Sequence, residues 1–204
     1  MQTKETNGEK GRFDFYAYLD RMKFIRRWPL MRCTRDENIM EHSQCVALIT
    51  HALCAIKNTL YGGHADEGKA VLYAVYHETS EVMTGDLPTP VKYYNAEIRS
   101  EYDKVEKMAG EKMLSYLPDD LREYYRPLLG HTDDERELWE LVKAADKLSA
   151  LIKCVEERQM GNSDFTDAEN STLKSVHEMN IPEAEEFLKE FMPAYSGTLD
   201  KQAK

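Results

Sequence analysis

A chain of 204 residues has the length of one domain and can bury a sizeable core. With 42% hydrophobic and 31% charged residues its composition is that of a globular protein, and a formal charge of -10 sets it apart from general nucleic-acid binders, which carry a basic stripe. That charge leaves room for a small phosphorylated ligand, which one Arg in a pocket can hold. No apolar stretch is expected to reach the roughly 20 residues of a membrane span, and the start MQTKETNGEK lacks the apolar centre of a signal peptide. The cytoplasm is the expected location. Cys33, Cys45, Cys54 and Cys154 have no CxxC spacing, and Cys45 and Cys54, set among apolar residues, read as buried reduced thiols.

Taken in chain order, the apolar spacing is helical nearly throughout. Residues 1–11 and 194–204 read as flexible tails around a single domain spanning 12–193. Phe15, Tyr18, Leu19, Met22 and Ile25 recur at intervals of three or four and predict a helix over Phe13–Arg26. Trp28-Pro29 interrupts it, because Pro disfavours a helical residue before it. Glu41–Asn58 predicts a helix too apolar for a one-sided surface element, hence a central one. After Gly62-Gly63 a third helix is expected over Asp66–Met83, ended by Gly85 and by Pro88-Thr-Pro90, which impose an extended loop. Helices follow over Asn95–Leu117, on to about Leu129, over Asp133–Glu157, and over Thr166–Met179 and Glu183–Met192. The fold class is all-α, a bundle of six to eight helices without a convincing strand.

Four residues along this pattern could share one divalent ion: His42, His77, Glu78 and Asp146. Neutral imidazole and carboxylate are the ligands a divalent first-row ion takes where thiolates are absent. Adjacent ligands on a helix diverge by about 100°, so both reach an ion beside it when other segments complete the shell. Glu81, at i+4 from His77, lies one turn along the same face, where a general acid or base belongs. Singly, each has a plainer reading: a capped His42, a solvated Glu81, an Asp146 paired with Lys143 or Lys147. Jointly they point to metal-assisted hydrolysis. His51, nine residues after His42, projects from the opposite side of its helix; it, His64, His131 and His177 read as structural or surface residues. Tyr93-Tyr94 and Tyr124-Tyr125 read as packing, with Tyr93 and Tyr94 close enough to the Asp86 loop to touch a ligand.

The segments RRWPLMR, EHS, HETSEVMTGDLPTPVKYYN and KAADKL, in this order, resemble the HD-domain metal phosphohydrolases, and among these the bacterial YfbR-type 5'-deoxynucleotidases. The resemblance covers about Phe13 to Met192. It implies one divalent metal ion (Co, Mn, Zn or Mg) on His42, His77, Glu78 and Asp146, with Asp146 also near the substrate. It further implies Glu81 as the catalytic acidic residue and Arg27 as the catalytic residue that orients the phosphate. Trp28 would pack against the sugar and disfavour a 2'-hydroxyl, and Asp86, Leu87, Pro88 and Thr89 would hold the nucleoside. The implied reaction is removal of phosphate from deoxyribonucleoside 5'-monophosphates, by a homodimer that needs neither nucleic-acid polymer nor membrane.

One position departs, since Glu78 stands where the family has Asp. Glu offers the same charge on a longer stem, so metal binding should survive while chemistry slows. Two alternatives follow. A dNTP (tri)phosphohydrolase of the same fold would need further cations, for which Lys23, Arg26, Arg32, Arg35 and Lys92 are candidates. A nucleotide-binding protein with impaired catalysis would follow from Glu78.

Overall fold

The helix-spaced apolar residues fold as helices. The computed structural model describes residues 13–92, 94–130, 133–198 and 200, and no strand occurs among them. Helix α1 (Phe15–Leu19) tightens into a 3-10 turn, Asp20–Phe24, where one continuous helix is expected. Helix α2 (Ile39–Leu60) starts at a capping box: Asn38 Oδ1 accepts from the Met40 and Glu41 amides at 3.1 and 3.0 Å, while Glu41 accepts from the Asn38 amide. Helix α3 (Glu67–Tyr76) begins at Asp66, whose carboxylate accepts from the Lys69 amide.

The expected helix over Asp66–Met83 is broken. After Tyr76 the chain winds more tightly, with Glu81 N donating to Glu78 O and Met83 N to Ser80 O, and only then resumes as α4 (Glu81–Thr84). His77 and Glu78 thus stand at the C-terminal break of α3, and the straight-helix spacing that relates Glu81 to His77 does not apply. Gly85, at φ 71°, donates its amide to Glu81 O and turns the chain away in a conformation that favours glycine. The extended run expected at Pro88–Pro90 is instead a single turn, α5 (Thr89–Lys92), because Pro is tolerated in a first helical turn. Then come α6 (Ala96–Leu114), α7 (Asp119–Tyr125), the long α8 (Arg136–Gln159), α9 (Thr166–Glu178) and α10 (Pro182–Glu190). A last 3-10 turn, Met192–Ser196, packs on α8.

Helices α2, α3 and α8 form the centre. Val46, Leu53 and Cys54 of α2 meet Tyr73 of α3 and Leu148 of α8, all withdrawn from water, and Tyr73 stacks on Trp139 at 4.7 Å between centroids. A smaller cluster of Phe15, Met113, Leu114 and Leu117 closes the α1–α6 side. Against expectation, α2 does have the length and apolar composition of a membrane span; its Val46, Ile49, Leu53 and Ile56 are buried by neighbouring helices, as in a core helix. Cys45 faces outward, because the same packing turns its side of α2 to the surface; Cys54 and Cys154 are buried.

The segment between the first turn and α2 is fastened at both ends. Arg26 and Asn38 form an isolated antiparallel bridge, flanked by Arg27 N to Glu37 O at 2.9 Å and Ile39 N to Ile25 O at 3.0 Å. The outer part of the loop hangs on α8. There the buried Glu157 carboxylate accepts from Thr34 N at 2.9 Å, Thr34 Oγ1 at 2.8 Å, Asn162 Nδ2 at 2.8 Å and Lys153 Nζ at 2.5 Å. Lys153 also donates to Arg35 O. These bonds hold the Glu157 carboxyl well below its ordinary range despite burial. Glu157→Ala strands Lys153 in an apolar setting. We expect it to lower unfolding stability by about 3 kcal/mol in urea titrations; a loss below about 0.5 kcal/mol would show that the loop is held by other contacts.

Candidate metal centre

Three elements deliver the metal-type side chains to one point. His42 lies in the first turn of α2, His77 and Glu78 at the break after α3, and Asp146 midway along α8. One ligand atom from each, all four together, lie within 4.8 Å of one another. His42 Nε2 is 3.0 Å from Asp146 Oδ1 and 3.8 Å from Glu78 Oε1, and His77 Nε2 is 3.3 Å from Glu78 Oε1. His42 is fully buried, and the other three are mostly so.

The donor set fits a divalent cation. His77 donates from Nδ1 to Ala74 O at 2.7 Å, which fixes the hydrogen on that nitrogen and leaves the lone pair on Nε2. That Nε2 is buried and makes no hydrogen bond of good geometry, with only Glu78 Oε1 facing it at 3.3 Å. A buried polar atom without a good hydrogen bond needs an explanation, and a cation among two imidazoles and two carboxylates supplies one. Ser149 Oγ stands 3.1 Å from His42 Nδ1, an outer partner able to orient the ring.

Charges in this space are strongly perturbed. Burial, helped by Arg27, lowers the His42 imidazole to about 4, so it is neutral and able to coordinate. For His77 burial opposes the charged form, but the adjacent Glu78 carboxylate outweighs it and raises the imidazole. Burial also opposes ionisation of Glu78 and Asp146; His77 nevertheless holds Glu78 at about 2, and His42 holds Asp146 well below the carboxylate range. Glu81, buried at the start of α4, is pushed up to about 10 by burial and by the Glu78 and Asp86 carboxylates.

The residues expected around the ion converge as well. Arg27 is 14% exposed, with Nη2 at 4.0 Å from Asp146 Oδ1 and Nη1 against His42 Nδ1. Trp28 packs on Phe165 at 5.3 Å between centroids, and the Asp86 carboxyl, pushed up by burial, lies near its backbone. Leu87 and Pro88 continue that half-buried loop to Thr89, which opens α5 and whose side chain lies outside the described residues, as do Tyr93 and His131. Tyr94 is exposed, and His51 faces outward beside Glu67. The plainer reading of Asp146 also holds in part, since Lys147 Nζ is 3.9 Å from its Oδ2. Sequence reasoning missed Ser149 and Glu37. Ser149 stands three residues after Asp146 on the same face of α8, a spacing that could have found it. Glu37 Oε2 accepts from Trp28 Nε1 at 3.1 Å and pairs with Arg27 Nη1 at 3.4 Å, across a loop that no periodicity reveals.

The chain is similar to known proteins over nearly its whole length. A family model described as 5'-deoxynucleotidase YfbR-like matches residues 14–195. The chain belongs to the YfbR-like 5'-deoxynucleotidase family. Curated relatives named 5'-deoxynucleotidase include one from Erwinia tasmaniensis, 46% identical over 187 residues that cover 92% of this chain and 94% of that protein. Another, from Vibrio vulnificus, is 46% identical over 92% of this chain and 96% of its own. Among solved structures, an HD-domain phosphohydrolase from Listeria innocua superposes with a TM-score of 0.79 at 24% identity, over 94% of this chain and 92% of that one. The cyanophage S-2L HD phosphohydrolase, bound to dA and one catalytic Zn2+ ion, gives a TM-score of 0.64 at 19% identity over 97% and 100% of the two chains. These two likenesses establish the HD-domain fold.

Removing one ligand tests the centre. His77→Ala is expected to leave the bundle folded but stripped of metal by elemental analysis, with only the modest loss of melting temperature that follows from losing a bound ligand. Metal content equal to that of the unmodified protein would break the assignment.

Proposed function

We propose that this YfbR-like chain hydrolyses deoxyribonucleoside 5'-monophosphates to deoxynucleoside and inorganic phosphate, using one divalent ion held by His42, His77, Glu78 and Asp146. The observation that carries the reading is the buried His77 Nε2, without a good hydrogen bond, inside a four-residue donor cluster that Arg27 faces. The ion, of the Co, Mn, Zn or Mg type, would draw charge off the phosphate and acidify water. A water oxygen bonds to phosphorus as the bond from phosphorus to O5' breaks, and O5' takes up a proton.

The chain's own residues supply the rest. Arg27 presents a planar fork that can bond two phosphate oxygens at once. Glu81, beside Glu78 and shielded from water, handles the proton that O5' needs. Trp28 would press on the sugar, and the 86–89 loop, whose Asp86 carboxyl lies near the Trp28 backbone, would bracket the nucleoside. A cytoplasmic homodimer is the setting that goes with this reading.

Charge favours a monophosphate over a triphosphate. The five cations that could serve extra phosphates are each paired with a carboxylate: Lys23 with Asp20 at 2.6 Å, Arg26 with Asp36 at 3.1 Å, Arg32 with Asp164 at 2.6 Å, Arg35 with Glu41 at 3.3 Å and Lys92 with Glu106 at 2.7 Å. Arg27 meets the cluster at both His42 and Asp146, while Lys147 reaches only the outer Asp146 oxygen, at 3.9 Å.

Glu78 supports binding while marking the family departure. Its carboxylate reaches both imidazoles, but the longer stem gives the ion more play relative to Arg27 and Glu81. Glu78→Asp is therefore expected to raise kcat severalfold on a dNMP with little change in KM. A lower kcat would show that the surrounding helices have adapted to Glu. Nucleotide binding without turnover in either form would contradict the enzymatic reading.

A further inference from the structure

We infer that Glu37 is the positioning residue of the Arg27–Trp28 pair and, through it, a determinant of sugar selectivity. This rests on the roles proposed above for those two residues. The Glu37 carboxylate would repel a phosphate, and it holds the guanidinium by Nη1 while Nη2 points toward Asp146.

Trp28 is the strained member. Its φ is 59°, a left-handed conformation that a bulky side chain keeps only where its surroundings over-determine it. Three contacts do so. The backbone carbonyl accepts from Met31 N at 2.9 Å, the ring packs on Phe165, and indole Nε1 donates to Glu37 Oε2 at 3.1 Å. An apolar contact with Phe165 leaves χ1 and χ2 of the indole some play, whereas a hydrogen bond to the half-buried Glu37 carboxylate fixes its edge. Only the last sets how far the ring reaches toward a ligand's sugar.

The same oxygen, Oε2, is the partner of Arg27 Nη1 at 3.4 Å, and the Glu37 carbonyl accepts from the Arg27 backbone amide at 2.9 Å. Nη1 also touches His42 Nδ1. A guanidinium can only donate, so that contact opens whenever the His42 ring carries its hydrogen on Nδ1 toward Ser149. Glu37 is then the partner left to hold Nη1. One carboxylate, 14% exposed, thus fixes two consecutive side chains that the proposed reaction assigns to phosphate and to sugar.

The test compares Glu37→Ala, Glu37→Gln, Trp28→Phe and Trp28→Ala with the unmodified protein. Turnover of a dNMP and of the matching NMP, their binding by calorimetry, and metal content are measured together. Trp28→Phe keeps a ring and removes only the donor, so it reports the bond from the other side. Glu37→Ala and Trp28→Phe are each expected to narrow the dNMP-over-NMP preference by about tenfold in both binding and kcat/KM, with metal content unchanged. The double variant should lose no more than either single, because both remove one interaction. Glu37→Gln, whose amide oxygen still accepts from the indole, should keep the sugar preference while raising KM as Arg27 loses its charged partner.

Unchanged preference in Trp28→Phe overturns the inference, even if Glu37→Ala fails to fold. So does unchanged preference in Glu37→Ala when Trp28→Ala abolishes it. Unchanged preference in Trp28→Ala is a different failure, since it removes the sugar role proposed for Trp28 and the inference with it.

Discussion

Three carboxylates, from Glu78, Glu81 and Asp146, share a space largely withdrawn from water with two imidazoles and one guanidinium. Like charges in such a place cannot all persist unless cations balance them. The perturbations record the conflict: Glu81 is driven up to about 10, while Glu78 and Asp146 are held down by the histidines. A divalent ion resolves it, and the ion's charge would change every one of these equilibria. The fold is arranged around meeting this single electrostatic demand.

Delivering the ligands requires a rigid frame. Helices α2 and α8 are long, buried and in direct contact, so His42 and Asp146 are fixed by the same packing that holds Val46, Leu53 and Leu148. The break after α3 supplies the other two candidate ligands at a point where the backbone can turn side chains that a straight helix would spread apart. Beside the cluster lies less regular structure, the Arg27–Trp28 turn and the Asp86 loop. The turn takes its geometry from anchored polar groups such as Glu157 and Glu37 rather than from helix propensity.

Much of this was legible in the chain. Period 3.6 gave the long helices α2, α6, α8 and α9 to within a few residues, because apolar stripes must face a common core, and overran at the break after α3. The four metal-type residues could be named because that residue set is unusual on apolar helices and the GDLPTP segment carries a family resemblance. What stayed hidden is non-local or conformational. The tight turn at His77–Ser80 and the short helix at Thr89–Lys92 depend on tertiary context that overrides local signals. Cys45 sits in an apolar run yet faces outward, since the run alone does not say which side of a central helix is covered. Glu37 had no signature, because its partners lie across a loop.

The account stands most directly on product analysis. The unmodified protein, stripped by a chelator and reloaded in turn with Co2+, Mn2+, Mg2+ or Zn2+, is incubated with dNMPs, the matching NMPs and dNTPs, and the products are separated by chromatography. The account predicts deoxynucleoside and inorganic phosphate from dNMPs only after a metal is restored, with NMPs slower and dNTPs yielding no triphosphate or pyrophosphate. Phosphate release that persists in the stripped protein, or triphosphate as the main product from dNTPs, would contradict it.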